Sequence, residues 1–118
     1  MKTNPIVIKI SDYTATNLAV ATDEGEKVYQ TIVKLFSDYQ TIVLDFSGIA
    51  LLTTAYLNGA IGQLYKDYSS RELGERLKLK NVSQDDLILL KKVTNRAKEF
   101  YNNEDSFGQT VQRVISGE

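Results

Sequence analysis

The spacing of apolar residues changes several times along the chain, and each change predicts a new element. Pro5–Ile10 alternates and is rich in β-branched residues, which predicts a strand. Asn17–Ala21 predicts a second short strand that forms a hairpin or meander with the first. Asp23 and Glu26 have the spacing of a capping box, so a helix is predicted from about Glu24 to Asp38. Its apolar face carries Val28, Ile32, Leu35, Phe36 and Tyr39.

The middle of the chain has the pattern of a strand, a helix and another strand. Gln40–Phe46 is an almost continuous apolar run, which predicts a central strand covered on both faces. From Ala55 the helical period returns, until the polar run Ser69–Gly74 ends it. Glu75–Lys80 alternates charged residues with leucine, which predicts a strand with one solvated face. The predicted buried face of the helix consists of Leu57, Ala60, Ile61, Leu64 and Tyr68.

The remaining elements are helical and complete an α/β fold. Ser83–Asp86 has capping-box spacing, and Phe107–Ile115 predicts a short final helix. The strand–helix–strand unit Thr41–Lys80 favours parallel pairing through a right-handed crossover. We therefore predict one α/β domain over residues 1–118, with a single mixed sheet of about four strands and three to four helices packed on it. The helix after Ser83 is predicted to bury Leu87, Leu90, Val93, Ala97 and Tyr101.

Composition narrows the chemistry that this domain can perform. The chain has no histidine and no cysteine, which excludes a Ser-His-Asp triad, a Cys-His nucleophile and thiolate or imidazole zinc sites. Its net charge of −1 gives no electrostatic footprint for nucleic acid. No apolar run approaches the roughly 20 residues of a membrane span, and the N-terminus lacks a secretory apolar region. We expect a cytoplasmic binding or regulatory domain without enzymatic activity, metal or cofactor.

A turn and two helical glycines are further candidate positions for structure or function. Asp45 ends the central strand and is predicted to accept backbone hydrogen bonds in the turn, with a role beside the threonines or a nucleotide as the alternative. Gly48 predicts a backbone conformation that a side chain would forbid. Gly59 and Gly62 lie inside the predicted helix, where glycine is unfavourable, so they predict a close helix contact.

Two adjacent hydroxyls, Thr53 and Thr54, stand where this helix begins. Thr54 is predicted to cap the helix, because a threonine there satisfies one of the free N–H groups of the first turn. The same position suits a phosphate, since a helix N-terminus carries about half a positive charge. Thr54 is thus both the predicted cap and the first candidate phosphoacceptor, with Thr53 as the second.

These motifs occur in an order that resembles a known superfamily. They are Asp45-Phe46, Gly48, Thr53-Thr54, Tyr56 and Asn81-Val82-Ser83. The order resembles the STAS superfamily, which includes the bacterial anti-sigma-factor antagonists. It is most similar to a STAS-like family of bacterial proteins without an assigned function. The resemblance covers roughly residues 25–101.

The resemblance implies a signalling module that acts by binding a protein. In the antagonist branch, a partner of the GHKL ATPase type phosphorylates a Ser or Thr at this helix start, and phosphorylation ends the complex. Thr54 matches that phosphoacceptor and Thr53 the residue before it. The implied docking surface is Ile49–Leu57. The partner-binding candidates are Asp45, Gly48, Tyr56, Leu57 and Asn58.

Two other functions remain open at the level of sequence. Thr53, Ala55 and Tyr56 replace the acid, the small hydroxyl and the glycine of the antagonist pattern, which favours a constitutive adaptor or a homodimer without phosphorylation. An exposed Tyr56 would suit an interface, and core packing is the equal alternative. The third hypothesis is a small-ligand or nucleotide site formed by Asp45 and the threonines. Neither of the common glycine-rich phosphate motifs supports it.

Overall fold

The computed structural model describes residues 1–102 and shows an α/β fold. The predicted helix over 107–115 lies outside the described residues. The strands are β1 (Ile6–Lys9), β2 (Leu18–Ala19), β3 (Ile42–Asp45), β4 (Leu51–Leu52) and β5 (Leu77–Lys80). The α-helices are α1 (Thr22–Phe36), α2 (Thr54–Ala60), α3 (Ser70–Arg76) and α4 (Gln84–Asn102), and short 3-10 helices cover Ile10–Tyr13 and Gly62–Lys66.

The strands form two small parallel sheets and not the single mixed sheet predicted from sequence. The larger sheet has the order β1-β3-β5, and β2 pairs with β4 in the smaller one. The predicted hairpin of β1 with β2 is therefore wrong. The 3-10 helix Ile10–Tyr13 leads the chain away from β1, and β4 supplies the partner of β2. Leu51–Leu52 is too short to give a strand pattern, so its pairing could not be predicted.

The helices cover one face of the larger sheet. Register places Ile8 beside Leu44 and Leu44 beside Leu79 on that face, and both Ile8 and Leu44 are buried. On the opposite face Val43 is half-buried and its neighbour Val7 is exposed. β3 is thus central, as predicted, but it is covered on one face only. Its continuous apolar run misled the prediction because Val43 is apolar although it faces away from the helices.

Helices α1 and α2 meet at two glycines, which allow their backbones to approach closely. A Cβ atom built on Gly25 would lie 2.3 Å from the Tyr56 carbonyl oxygen, and one built on Gly59 would lie 2.7 Å from the Thr22 carbonyl oxygen. The close contact predicted for Gly59 is therefore confirmed. Gly62 is less restricted, since its nearest neighbour would be the Asn58 side chain at 3.4 Å.

Several helix ends differ from the predicted ones. α1 begins after Ala21 without a side-chain cap, and Asp23 only accepts a hydrogen bond from the next N–H, so the first capping box is wrong. The helix predicted to reach Tyr68 ends at Ala60 and continues as a 3-10 turn. The polar run after it forms α3, capped by Ser69, which accepts from the Glu72 N–H. Its Ser-x-x-Glu spacing was the missed signal.

The second capping position and most of the α4 stripe agree with prediction. The Ser83 hydroxyl accepts from the Asp86 N–H at 3.2 Å. Leu90, Val93 and Ala97 are buried, as expected of the inner stripe. Leu87 is 47% exposed, because it lies at the edge of an open groove described below. Within residues 1–102, no helix combines the length and the apolar character that crossing a membrane would require.

A half-buried arginine of α3 closes the end of α1. The guanidinium of Arg76 donates to the carbonyl oxygens of Phe36, Tyr39 and Gln40 at 2.8 to 2.9 Å. It also pairs with Glu72 and lies 4.3 Å from the centroid of the Phe36 ring. A helix leaves its last carbonyl groups without partners, so Arg76 satisfies groups that would otherwise lack them. This residue joins α3 to the connection between α1 and β3.

Candidate functional site

Thr53, and not Thr54, caps α2. The Thr53 backbone is still extended, and its hydroxyl accepts a hydrogen bond from the Tyr56 N–H at 3.3 Å. The same hydroxyl donates to the carbonyl oxygen of Val20 at 3.0 Å. The prediction that Thr54 is the cap was one residue too late. The Thr53 N–H donates to the Ala19 carbonyl oxygen, which continues the β2–β4 ladder and fixes where the helix can begin.

Thr54 is the first residue of α2 and is half-buried. Among the described residues, its hydroxyl has no hydrogen-bond partner, whereas both hydrogen-bonding functions of the Thr53 hydroxyl are occupied. A change at Thr53 would disturb the cap and the link to Val20. A reaction or a new contact at the Thr54 hydroxyl would therefore break none of the hydrogen bonds that hold the start of α2.

Two exposed leucines lie in the small sheet whose strand β4 leads into α2. Leu18 and Leu51 are register partners in the small sheet, and they are 42% and 52% exposed. Ala55 and Asn58 are exposed on α2 itself. We call these residues with Thr54 the Thr54 surface: Leu18, Leu51, Thr54, Ala55 and Asn58. An apolar rim beside an available hydroxyl is suited to contact with another protein.

Two predicted partner-binding residues belong to the core instead. Tyr56 and Leu57 are both fully buried, so of the two alternatives for Tyr56 the structure shows core packing, and Leu57 does not lie on the surface. They point inwards because α2 packs against α1 and α4. Within residues 1–102 the Tyr56 hydroxyl has no hydrogen-bond partner. Burial, with a smaller contribution from the charge of Glu24, raises the pKa of Tyr56 to about 12.

Asp45 and Gly48 shape the turn that follows β3. One carboxylate oxygen of Asp45 accepts from the Asn81 side-chain amide at 2.8 Å and from the Ser47 N–H at 2.9 Å. These two hydrogen bonds, the Asn81 bond first, lower the pKa of Asp45. The predicted role in the turn is confirmed. Gly48 has a φ of 81°, a left-handed conformation that favours glycine, which confirms the second expectation.

The structure does not join Asp45 to the threonines. Its hydrogen bonds go to Ser47 and to Asn81, which follows β5 and itself has a φ of 59°. Asp45 thus connects the ends of β3 and β5, and within residues 1–102 it makes no hydrogen bond to Thr53 or Thr54. Across the same described range, no three His, Cys, Asp or Glu side chains are close enough to hold a metal ion.

Sequence reasoning missed an open groove between β5 and α4. We call it the β5–α4 groove; its volume is about 530 Å³. Leu79 and Leu87 are 41% and 47% exposed at this groove. The sequence pattern gave no signal for the groove, since both leucines occupy positions predicted to face inwards. The groove is lined by Ile61, Tyr65, Ser70, Leu73, Gly74, Leu77, Leu79, Leu87, Leu90, Lys91, Thr94 and Lys98.

The domain combines parallel strands, packed helices and a threonine hydroxyl at the start of α2. The chain belongs to the family described as "STAS-like domain of unknown function (DUF4325)", whose model matches residues 24–87. The match runs from α1 through the Thr54 region to the start of α4. No match was found among curated proteins or among solved structures. The resemblance inferred from sequence is therefore confirmed at the level of the family.

Proposed function

We propose that this chain is a regulatory module that binds another protein through the Thr54 surface. One observation carries the proposal: Thr54 is a half-buried residue whose hydroxyl makes no hydrogen bond within residues 1–102, and it closely follows the strand in which Leu51 pairs with Leu18, both of them exposed. Because Leu18 and Leu51 are register partners, their exposed side chains give adjoining apolar surface that contact with a partner could cover. Contact with a partner would bury both side chains and the Thr54 hydroxyl together.

The partner that we propose is an ATPase of the GHKL type or a related regulator, by analogy with the anti-sigma-factor antagonists. In the phosphorylated form, the Thr54 Oγ1 would form a bond to the γ-phosphorus of ATP, ADP would leave, and the hydroxyl proton would pass to a base of the partner. The phosphate would bring roughly −1.5 to −2 charges next to Leu18 and Leu51. Desolvating that charge against an apolar interface is unfavourable, so phosphorylation would release the partner.

In this proposal the module is a substrate and a ligand, and it catalyses no reaction. Its own contribution is to present a hydroxyl at a fixed place. The cap by Thr53 and the glycine contact between α1 and α2 both hold the start of α2 in position. The compartment that we propose is the cytoplasm, where ATP would be available to the proposed partner.

The first test is capture of partners by the tagged protein from its native lysate, with and without ATP, followed by intact-mass spectrometry. We expect an ATPase to be captured without ATP, and phosphate to appear on Thr54 when ATP is added. Thr54→Ala should abolish the added mass, whereas Thr31→Ala, a threonine on α1, should not. A phosphate that persists in Thr54→Ala would overturn the phosphorylation step.

A second set of variants tests the surface separately from the phosphate. Leu51→Asp should reduce capture at least tenfold, because it places a charge in the apolar rim. Leu79→Asp is the matched control, since Leu79 is similarly exposed but lies in the β5–α4 groove. Equal loss in both variants, or no loss in Leu51→Asp, would show that the Thr54 surface is not the docking site.

A constitutive adaptor is the second candidate, and the exposed Leu18–Leu51 pair favours it independently of any phosphate. Capture that is unchanged by ATP and by Thr54→Ala, but lost in Leu51→Asp, would establish that function. A dimeric mass in solution that Leu51→Asp converts to a monomeric one would indicate a homodimer. The nucleotide-site hypothesis has no such observation in its favour, because Asp45 is already bonded to Ser47 and Asn81.

A further inference from the structure

The β5–α4 groove follows α4 along most of its length and ends close to the last described residue. The α4 residues that line it recur along one stripe of the helix, and the last of them is Lys98. Lys98 lies about one turn before Asn102, where the described residues end. A chain that turned back after Asn102 would therefore meet the groove at once. The α4 stripe consists of Leu87, Leu90, Lys91, Thr94 and Lys98.

The sequence after Asn102 predicts a short amphipathic helix. Ser106 and Gln109 have the spacing of a capping box. Gly117 follows Ile115 by two residues, which is a common position for the glycine that ends a helix. Apolar residues between these two ends recur at the intervals of one helix face, and that face needs an apolar surface to cover it. They are Phe107, Val111, Val114 and Ile115.

The groove and the predicted helix match in length. As a helix, residues 107–115 would extend over roughly 14 Å, and Leu87 and Lys98 are separated by roughly 16 Å along α4. Residues 103–106 suffice for the turn, because packed helices are commonly joined by about two to eight residues. A smaller cleft of about 320 Å³ on another face of α4 is a poorer match, since its α4 residues span only 96–101.

Charge complementarity favours the same placement. Lys91 and Lys98 line the groove, and among the residues that the structure describes no acidic side chain does. Residues 103–118 contain three acidic residues and one arginine, which gives this segment a net charge of −2. Glu104 and Asp105 fall in the predicted turn, where attraction to Lys98 favours docking. Arg113 falls outside the apolar stripe of the predicted helix, so its charge can stay in solvent.

We propose that residues 103–118 of the same chain bind in the β5–α4 groove as a helix antiparallel to α4. The apolar stripe of this helix covers Leu79 and Leu87, which are 41% and 47% exposed in residues 1–102. Its short tether gives the segment an effective concentration of about a millimolar, so it competes well against free peptides of similar affinity. The groove is separate from the Thr54 surface, so each proposal can fail without the other.

The first test is NMR of the full-length protein. We expect nuclear Overhauser contacts between the methyl groups of Val114 and those of Leu79 or Leu87. In a mixture of labelled and unlabelled protein, no such contact should join two copies. Absence of these contacts, or contacts with Phe100 of the smaller cleft in their place, would overturn the proposal. Contacts found only between copies would overturn it in favour of an exchanged segment in a dimer.

Matched variants of the segment give a second measurement. Val114→Asp places a charge in the apolar stripe and should lower the melting temperature by roughly 4 °C or more. Gln112→Asp lies outside the stripe and should leave it unchanged. In a protein that already carries Leu79→Asp, the loss caused by Val114→Asp should shrink to about half or less, because the contact is already weakened. Equal losses in Val114→Asp and Gln112→Asp, or in the two backgrounds, would contradict docking in the groove.

Discussion

The contact between α1 and α2 and the contact between β5 and α4 belong to the same core but are built in opposite ways. The first is a backbone contact, closed at Gly25 and Gly59 with no space for even one added carbon. The second leaves about 530 Å³ open between Leu79 and Leu87. The closed contact fixes the position of α2 and its hydroxyl. The open contact leaves apolar surface exposed. The tight backbone contact and the exposed apolar surface therefore lie in different parts of this small domain.

The largest loss of stability is expected from a change at the contact between α1 and α2. Gly25→Ala would place a Cβ atom 2.3 Å from the Tyr56 carbonyl oxygen, so the two helices would have to separate. We expect the free energy of unfolding to fall by about 3 kcal/mol or more, at the upper end of overpacking effects. Urea denaturation followed by circular dichroism measures this change.

Gly74→Ala is the matched control for that experiment. Gly74 lies in α3 at the rim of the groove, and a Cβ atom there would meet nothing within 4 Å. Alanine is favoured over glycine in a helix, so stability should rise by up to about 1 kcal/mol. If both variants lost stability equally, the distinction between a closed and an open side would be wrong.

The next largest effect concerns the hydrogen bonds that Arg76 donates at the end of α1. Arg76→Ala would leave three carbonyl oxygens without their charged donor, and the expected loss is about 2 to 3 kcal/mol. Arg71→Ala is the control. Like Arg76, Arg71 pairs with a glutamate of α3, but the Arg71 side chain is exposed. An exposed pair of this kind contributes less than about 1 kcal/mol. Similar losses in the two variants would contradict the role assigned to Arg76.

A smaller effect tests the buried hydroxyl on the closed side. Tyr56→Phe removes a polar group that has no hydrogen-bond partner in residues 1–102, so stability should stay the same or rise by up to about 1 kcal/mol. The folded pKa is raised to about 12, so between about pH 10 and 12 the unfolded chain has lost the Tyr56 proton while the folded chain keeps it. The unmodified protein should therefore lose stability over this range relative to Tyr56→Phe. Identical pH profiles of unfolding would show that Tyr56 titrates normally.

The smallest effect is expected at the hydrogen bond that connects the ends of β3 and β5. Asn81→Ala removes the main hydrogen bond that lowers the pKa of Asp45, so that pKa should move up towards 3.8. The stabilisation from the lowered pKa is complete above the unfolded pKa and is lost as pH falls through the folded value. At acidic pH, the free energy of unfolding of Asn81→Ala should therefore fall less steeply with decreasing pH than that of the unmodified protein. NMR titration of the Asp45 carboxyl carbon measures the shift, and an unchanged pKa would contradict it.

Local patterns predicted the elements that depend on neighbouring residues. The strand at Ile6–Lys9, the central strand β3, the cap at Ser83 and the buried stripe of α4 follow from alternation, helical spacing and side-chain chemistry. The STAS-like family was predicted from the motif order and is confirmed. The elements were predicted correctly because each depends on the spacing and chemistry of residues near one another in the chain.

The cap of α2 was predicted to within one residue, and the error has a physical cause. Either Thr53 or Thr54 can cap a helix, and the sequence does not distinguish them. The choice was made by β2 and the residue that follows it, because the carbonyl oxygens of Ala19 and Val20 accept hydrogen bonds from the N–H and the hydroxyl of Thr53. The same pairing leaves Leu18 and Leu51 exposed and frees Thr54.

The sequence alone therefore determined the α/β class, the position of the main elements and the region of the candidate site. Tertiary structure decided which threonine is free, which tyrosine is buried and which strands pair. It also decided that α4 and β5 leave a groove, since Leu87 and Leu79 have the pattern of core residues. Pattern reflects the preference of each residue for burial, whereas actual burial depends on whether a distant segment fills the space beside it.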